Sequence, residues 1–235
     1  MRKAVFFDLD GTLLSLDMEQ FTKMYFSLVE SRGFYDLFGS DGRKVFGSGI
    51  YAILNNTGEM LNRDIFLKVA SEGSGAAPDA ILRHMDAFYI NEFPKIKECA
   101  RSEDCAIESV RILKEKGYRL ILSTNPIFPS IATDERIKWA GLDVNDFEYV
   151  SYYDNSHYCK PNLEYFKEIL DCTGLKADEC YVIGNDVLED MCAVSLGFEG
   201  FLLLDNVIGD LGKVPPCVQG NYSDLLSFAK SLPPV

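Results

Sequence analysis

The chain has 235 residues, 47% hydrophobic and 25% charged, enough for one large domain or for a core with a smaller companion. Its 23 Lys and Arg face 36 Asp and Glu, a net charge of -13 with no compensating basic stripe, which argues against a nucleic-acid polymer as partner. A small phosphorylated metabolite stays compatible with that balance, because a metal ion and one or two pocket cations can reverse the local potential.

The first element is an apolar strand, Ala4–Phe7, that stops on two acids, Asp8 and Asp10, followed by Gly11 and Thr12. The run is too short for a secretory core, and no later stretch approaches bilayer length, so the expected compartment is the cytoplasm with no membrane partner. The seven cysteines are odd in number and lack C-x-x-C spacing, which reads as reduced, packed thiols.

A long segment without strand signals comes next. Phe21, Met24, Tyr25, Leu28 and Val29 recur at helical spacing, as do Ile81, Leu82, Met85, Phe88 and Tyr89, with a short helix expected over 64–70. Glycines from Gly33 to Gly75 read as punctuation between these helices. A small helical bundle over residues 16–95 is expected, inserted between 1–15 and 96–235, with its aromatic stripes forming bundle core.

Helices and strands then alternate. A helix over 105–116 ends at Gly117, strands are expected at 119–123, 147–151, 180–183 and 201–204, and helices follow Pro129, Pro161 and Asp186. Strands this uniformly apolar belong to a parallel sheet covered on both faces, so the fold class is α/β, a Rossmann-like open parallel sheet with an inserted helical bundle.

Ligands of such sheets bind beyond the carboxyl ends of the strands. The residues there are Asp8 and Asp10, then Ser123, Thr124 and Asn125, then Lys160 in HYCKPN, then Asn185, Asp186 and Asp190 in IGNDVLED. Acids gathered this way repel one another unless a cation sits between them, and oxygen-only ligation favours Mg²⁺.

In these residues the chain resembles the haloacid dehalogenase superfamily: FFDLDGT looks like its first motif, STN its second, KP its third and GNDVLED its fourth, in the expected order. The resemblance implies an aspartyl-phosphate on Asp8, proton transfer by Asp10, and a phosphoryl group held by Thr124, Asn125 and Lys160. Ser123, one residue away, is the alternative hydroxyl. Pro161 is expected at the first position of its helix. The implied metal ligands are Asp8, Asp10 through its backbone carbonyl, Asp186, and Asp190 either directly or through water. After Gly184 the family often places Asp, whereas Asn185 stands here, so its amide oxygen competes with Asp186 as a ligand.

The expected activity is that of a Mg²⁺-dependent phosphatase acting on a small phosphomonoester. A phosphomutase of the same fold uses the same acids, while the family's dehalogenases lack the second Asp and need no acid for a leaving alkoxide. A receiver-like or binding module is the non-enzymatic alternative. The insertion matches the family's helical cap, in which Arg43, Lys44, Arg83 and His84 are the cations considered for contact with an anionic leaving group, though such side chains are ordinarily solvated.

Overall fold

The computed structural model describes residues 2–235. Six strands make one parallel sheet: β1 (Ala4–Phe7), β4 (Arg119–Leu122), β5 (Tyr149–Val150), β6 (Cys180–Gly184), β7 (Glu199–Leu203) and β8 (Val218–Gly220), in the order β5-β4-β1-β6-β7-β8. The central strand β1 is buried on both faces, and its alternation sends Val5 and Phe7 into one apolar cluster and Ala4 and Phe6 into another. That is why its sequence shows no polar alternation.

Parallel register decides what emerges at the sheet edge. Phe7 stands opposite both Leu122 and Ile183, so the next residues, Asp8, Ser123 and Gly184, come side by side at the carboxyl edge, Gly184 as the last residue of β6. The ladder runs one step further, with Asp8 N donating to Ile183 O at 2.9 Å and Ser123 N to Phe7 O at 2.7 Å. Val150 of β5 aligns with Leu122, which brings the Lys160 loop to the same edge.

Between β1 and β4 the chain forms α1 (Met18–Ser31), α2 (Gly42–Leu54), α3 (Asn62–Ser74) and α4 (Pro78–Asn91). Two short strands bracket them, β2 (Leu14–Leu16) and β3 (Ala100–Ser102), paired antiparallel so that the outgoing and returning chains are tied together. Asp17 caps α1 by accepting from Gln20 N at 2.9 Å, and Pro78 opens α4. The sequence reading missed α2 because it took the glycines of that stretch for punctuation. Gly49 sits mid-helix where a Cβ would come within 2.6 Å of the Phe66 ring, so it serves close packing of α2 on α3.

The remaining helices are α5 (Asp104–Glu115), α6 (Ser130–Trp139), α7 (Leu163–Thr173) and α8 (Tyr222–Ser231). Gly117, at φ +87°, ends α5 as expected, with Tyr118 N closing back on Leu113 O. Two expectations fail. Pro161 precedes the N-cap Asn162 instead of opening α7. After Asp186 no α-helix forms: Asp186 Oδ1 accepts from both Leu188 N and Glu189 N, making an Asx turn, and only a 3-10 segment, Met191–Leu196, follows. All seven cysteines are free, and among the described residues no helix is long and apolar enough to cross a membrane.

Candidate active site

Beyond the carboxyl ends of β1, β4, β5 and β6 lies a cavity of about 420 Å³. Of the residues expected there on sequence grounds, Asp8, Asp10, Thr124, Asn125, Lys160, Asn185, Asp186 and Asp190 line its wall, and Ser123 does not. The turn that presents the first two acids depends on Gly11, whose φ of +88° and contact with the Asn185 amide leave no room for a Cβ.

Lys160 is the electrostatic centre. Its ammonium is 3% exposed and donates to Asp8 Oδ1 at 2.9 Å and to Asp190 Oδ1 at 2.5 Å. Burial opposes the charge on Lys160, yet Asp190 and Asp8 hold it well above the usual lysine range. Burial pushes the Asp190 carboxyl up, against the pull of Lys160. The other oxygen of Asp190 accepts from Asp186 N at 2.9 Å, so both its oxygens are engaged in holding Lys160 and the 186–190 turn. Asp190 thereby positions both Lys160 and the turn that carries Asp186.

Asp10 meets a partner that the sequence reading did not assign. Arg136 of α6, itself 2% exposed, donates from Nη1 to Asp10 Oδ2, and lies over the Phe128 ring with Cζ 4.7 Å from its centroid. Asp10 Oδ1 is buried without a hydrogen-bond partner among the described residues. Burial raises the Asp10 carboxyl, Arg136 counters, and Asp8 adds to the rise. Arg136 shares a buried face of α6 with Ala132, and a cation buried there calls for an acid, but the sequence of α6 has no apolar stripe that would mark this face in advance.

The second-motif alternatives separate clearly. Ser123 Oγ donates into the sheet, to Phe7 O at 3.2 Å, whereas Thr124 lines the cavity. Tyr165 and Ser151 hydroxyls pin the Thr124 carbonyl at 2.8 and 3.2 Å. Asn125 braces two loops, accepting from Lys160 N at 3.2 Å and donating to Glu189 at 3.0 Å. Glu189 is a further cavity acid left unassigned by the sequence reading, and burial raises its carboxyl. Asn185 is committed to structure: its amide oxygen accepts from Thr12 Oγ1 at 3.0 Å and its nitrogen donates to Asn206 O at 2.7 Å.

Among the described residues no three carboxylate, imidazole or thiol groups form a metal cluster by themselves. The donors left over are nonetheless hard oxygens suited to Mg²⁺. Asp8 gives Oδ1 to Lys160, Asp186 gives Oδ1 to two amides, and the Asp10 carbonyl accepts no backbone hydrogen bond among the described residues, which leaves one oxygen of each.

The aromatic stripes form bundle core as expected, Phe21, Tyr25, Val29, Met85 and Tyr89 all belonging to one buried apolar cluster, and Phe21, Tyr25 and Tyr89 at its edge also line the cavity. None of the four cations considered on the insertion lines it: Arg43 pairs with Glu30, His84 Nε2 bonds the Phe34 carbonyl at 2.8 Å, and Lys44 and Arg83 are exposed.

A family model described as a haloacid dehalogenase-like hydrolase matches residues 2–193. Solved structures similar to the chain include a HAD phosphatase from Thermococcus onnurineus, 20% identical, with 99% of this chain and 100% of that one covered and a TM-score of 0.59. The L-2-haloacid dehalogenase from Xanthobacter autotrophicus is 13% identical over 99% and 100%, also at 0.59. The HAD-hydrolase YfnB from Bacillus subtilis, solved bound to magnesium, is 16% identical over 97% and 98%, at 0.58. At these identities the likeness is one of fold. No curated protein matches the chain.

Proposed function

The chain belongs to the haloacid dehalogenase-like hydrolases, and on that premise we propose that it is a Mg²⁺-dependent phosphatase of small phosphomonoesters, working in the cytoplasm. The carrying observation is Asp10 beside Asp8 in one cavity, with one carboxylate oxygen gripped by Arg136 and the other unpartnered. A departing halide needs no proton; a departing alkoxide does.

In this reading a carboxylate oxygen of Asp8 attacks phosphorus, the P–O ester bond breaks, and Asp10 gives its proton to the leaving oxygen. Asp10, now a carboxylate, takes a proton from water as that water attacks the same phosphorus. Phosphate leaves, and Asp8 is regenerated. Lys160 offsets the negative charge that accumulates between Asp8 and the phosphoryl oxygens, and the Thr124 hydroxyl donates to one of them.

Asp8, the Asp10 carbonyl and Asp186 would hold Mg²⁺. Once bound, the ion supplies charge neutralisation at the phosphoryl group. Arg136 keeps Asp10 facing the cavity, and the aromatic wall limits the water that reaches Asp8.

The test is phosphate release from an aryl phosphate. Turnover is expected with Mg²⁺, lost on chelation and restored by adding the ion back. Asp8→Asn should lower it on the order of 10⁴-fold or more with the circular dichroism spectrum unchanged. Turnover by that folded variant near the parent rate would remove Asp8 from the role of nucleophile, and isomerisation of a sugar phosphate without phosphate release would reassign the enzyme as a mutase.

A further inference from the structure

The two sides of the cavity differ in kind. Its floor carries five carboxylates, Asp8, Asp10, Asp186, Glu189 and Asp190, against two cations, Lys160 and Arg136. Both cations are already engaged, Lys160 with Asp8 and Asp190 and Arg136 with Asp10. The facing wall is Phe21, Tyr25 and Phe26 of α1 with Phe46, Ile50 and Leu54 of α2. Tyr89 adds one more ring, and its hydroxyl is paired with that of Tyr25 at 2.9 Å, so the polar atoms of these two side chains satisfy each other. Burial raises both phenols, which keeps them neutral. No lysine, arginine or histidine lies on this wall among the described residues.

We propose that the substrate is a phosphomonoester whose leaving group is uncharged and apolar, of the size of an aryl or short arylalkyl alcohol, and that the site discriminates against esters carrying a second anionic group. This rests on the phosphatase reading above. A carboxylate or second phosphate on the leaving group would lie against rings and aliphatic chains where the one hydroxyl outside the Tyr25–Tyr89 pair is that of Thr22 and no cation is offered, and it would face a floor where acids outnumber cations. An apolar leaving group meets the opposite conditions, with aromatic edges and faces available on most of the wall. A cavity of about 420 Å³ lies within the range of sites that hold one small molecule, with the buried Phe21, Tyr25, Phe46 and Tyr89 at its base and the exposed Phe26 and Leu54 at its rim.

The experiment compares 2-phenylethyl phosphate with 3-carboxypropyl phosphate, whose leaving alcohols have similar acidity and hence similar intrinsic reactivity. Phosphate release in the presence of Mg²⁺ is read as kcat/KM for the full chain. The phenylethyl ester is expected to be preferred by about 100-fold or more, the order set by burying a charge without a partner. Equal values, or preference for the carboxylate, would overturn the proposal. Ile50→Lys, at a partly buried wall position, introduces the missing cation and is expected to narrow the ratio by about tenfold or more, mainly through KM. A folded Ile50→Lys with an unchanged ratio would also count against it. Release from neither ester, nor from any other phosphomonoester, would instead remove the phosphatase premise, an outcome distinct from release without selectivity.

Discussion

The strand-end floor and the helical wall enclose the same cavity but are built by different rules. Most floor residues, such as Asp8, Asp10, Thr124 and Asp186, sit one to three positions beyond a short apolar strand, and parallel register carries Asp8, Ser123 and Gly184 to a common edge. A wall residue has no such anchor. Phe21, Tyr25 and Val29 recur at one helical spacing and are all buried in the core, yet only Phe21 and Tyr25 also border the cavity, because of how α1, α2 and α4 pack around that space. Chemistry is therefore written locally, and specificity is written in how helices meet.

Breaking the floor should have the largest effect. Lys160→Met removes the one ammonium shared by Asp8 and Asp190 and leaves two buried carboxylates uncompensated. Severing a buried pair in this way typically costs about 3–5 kcal/mol, and urea unfolding measures it. A loss below about 1 kcal/mol would mean that the two acids find other partners, and the floor would then be less tightly organised than its hydrogen bonds indicate.

That asymmetry also explains what could be read in advance. The apolar run ending in D-x-D-G-T, and the later strand ends, are signals contained within a few residues each. Five of the six sheet strands, their order along the chain and the cavity residues Asp8, Asp10, Thr124, Asn125, Lys160, Asp186 and Asp190 followed from them, while the exposed edge strand β8 and Glu189 did not. Arg136 was missed because its meaning depends on Asp10, 126 residues away, and an arginine on a helix reads as solvated until its face is known to be buried. Likewise the 186–190 segment has helical spacing of its acids, but Asp186 folds its side chain onto the next two amides and turns the chain instead. Helix α2 is concealed by glycines that the packing uses, and the start of α8 is marked by the capping box of Asn221 and Asp224.

Those glycines give the smallest and sharpest comparison. Gly49 and Gly47 lie two residues apart in α2, yet a Cβ at Gly49 would meet the Phe66 ring at 2.6 Å, whereas one at Gly47 has nothing within 4 Å. Phe66 is fully buried and stands edge-on to Phe46, at 5.6 Å between centroids, so it has little freedom to retreat. Alanine improves helix propensity at either position by roughly 0.5–1 kcal/mol. At Gly49 the overpacking penalty of about 1–3 kcal/mol exceeds that gain, so Gly49→Ala should destabilise by about 1 kcal/mol. Because Phe46 lines the cavity, this variant should also raise KM for an apolar ester. Gly47→Ala, on the exposed side of the same helix, should stabilise by about 0.5–1 kcal/mol and leave KM unchanged. Opposite signs in urea melts would show that α2 is seated on α3 through Gly49. Equal stabilisation by both would mean that the ring yields, and with it the shape of the wall that α2 contributes.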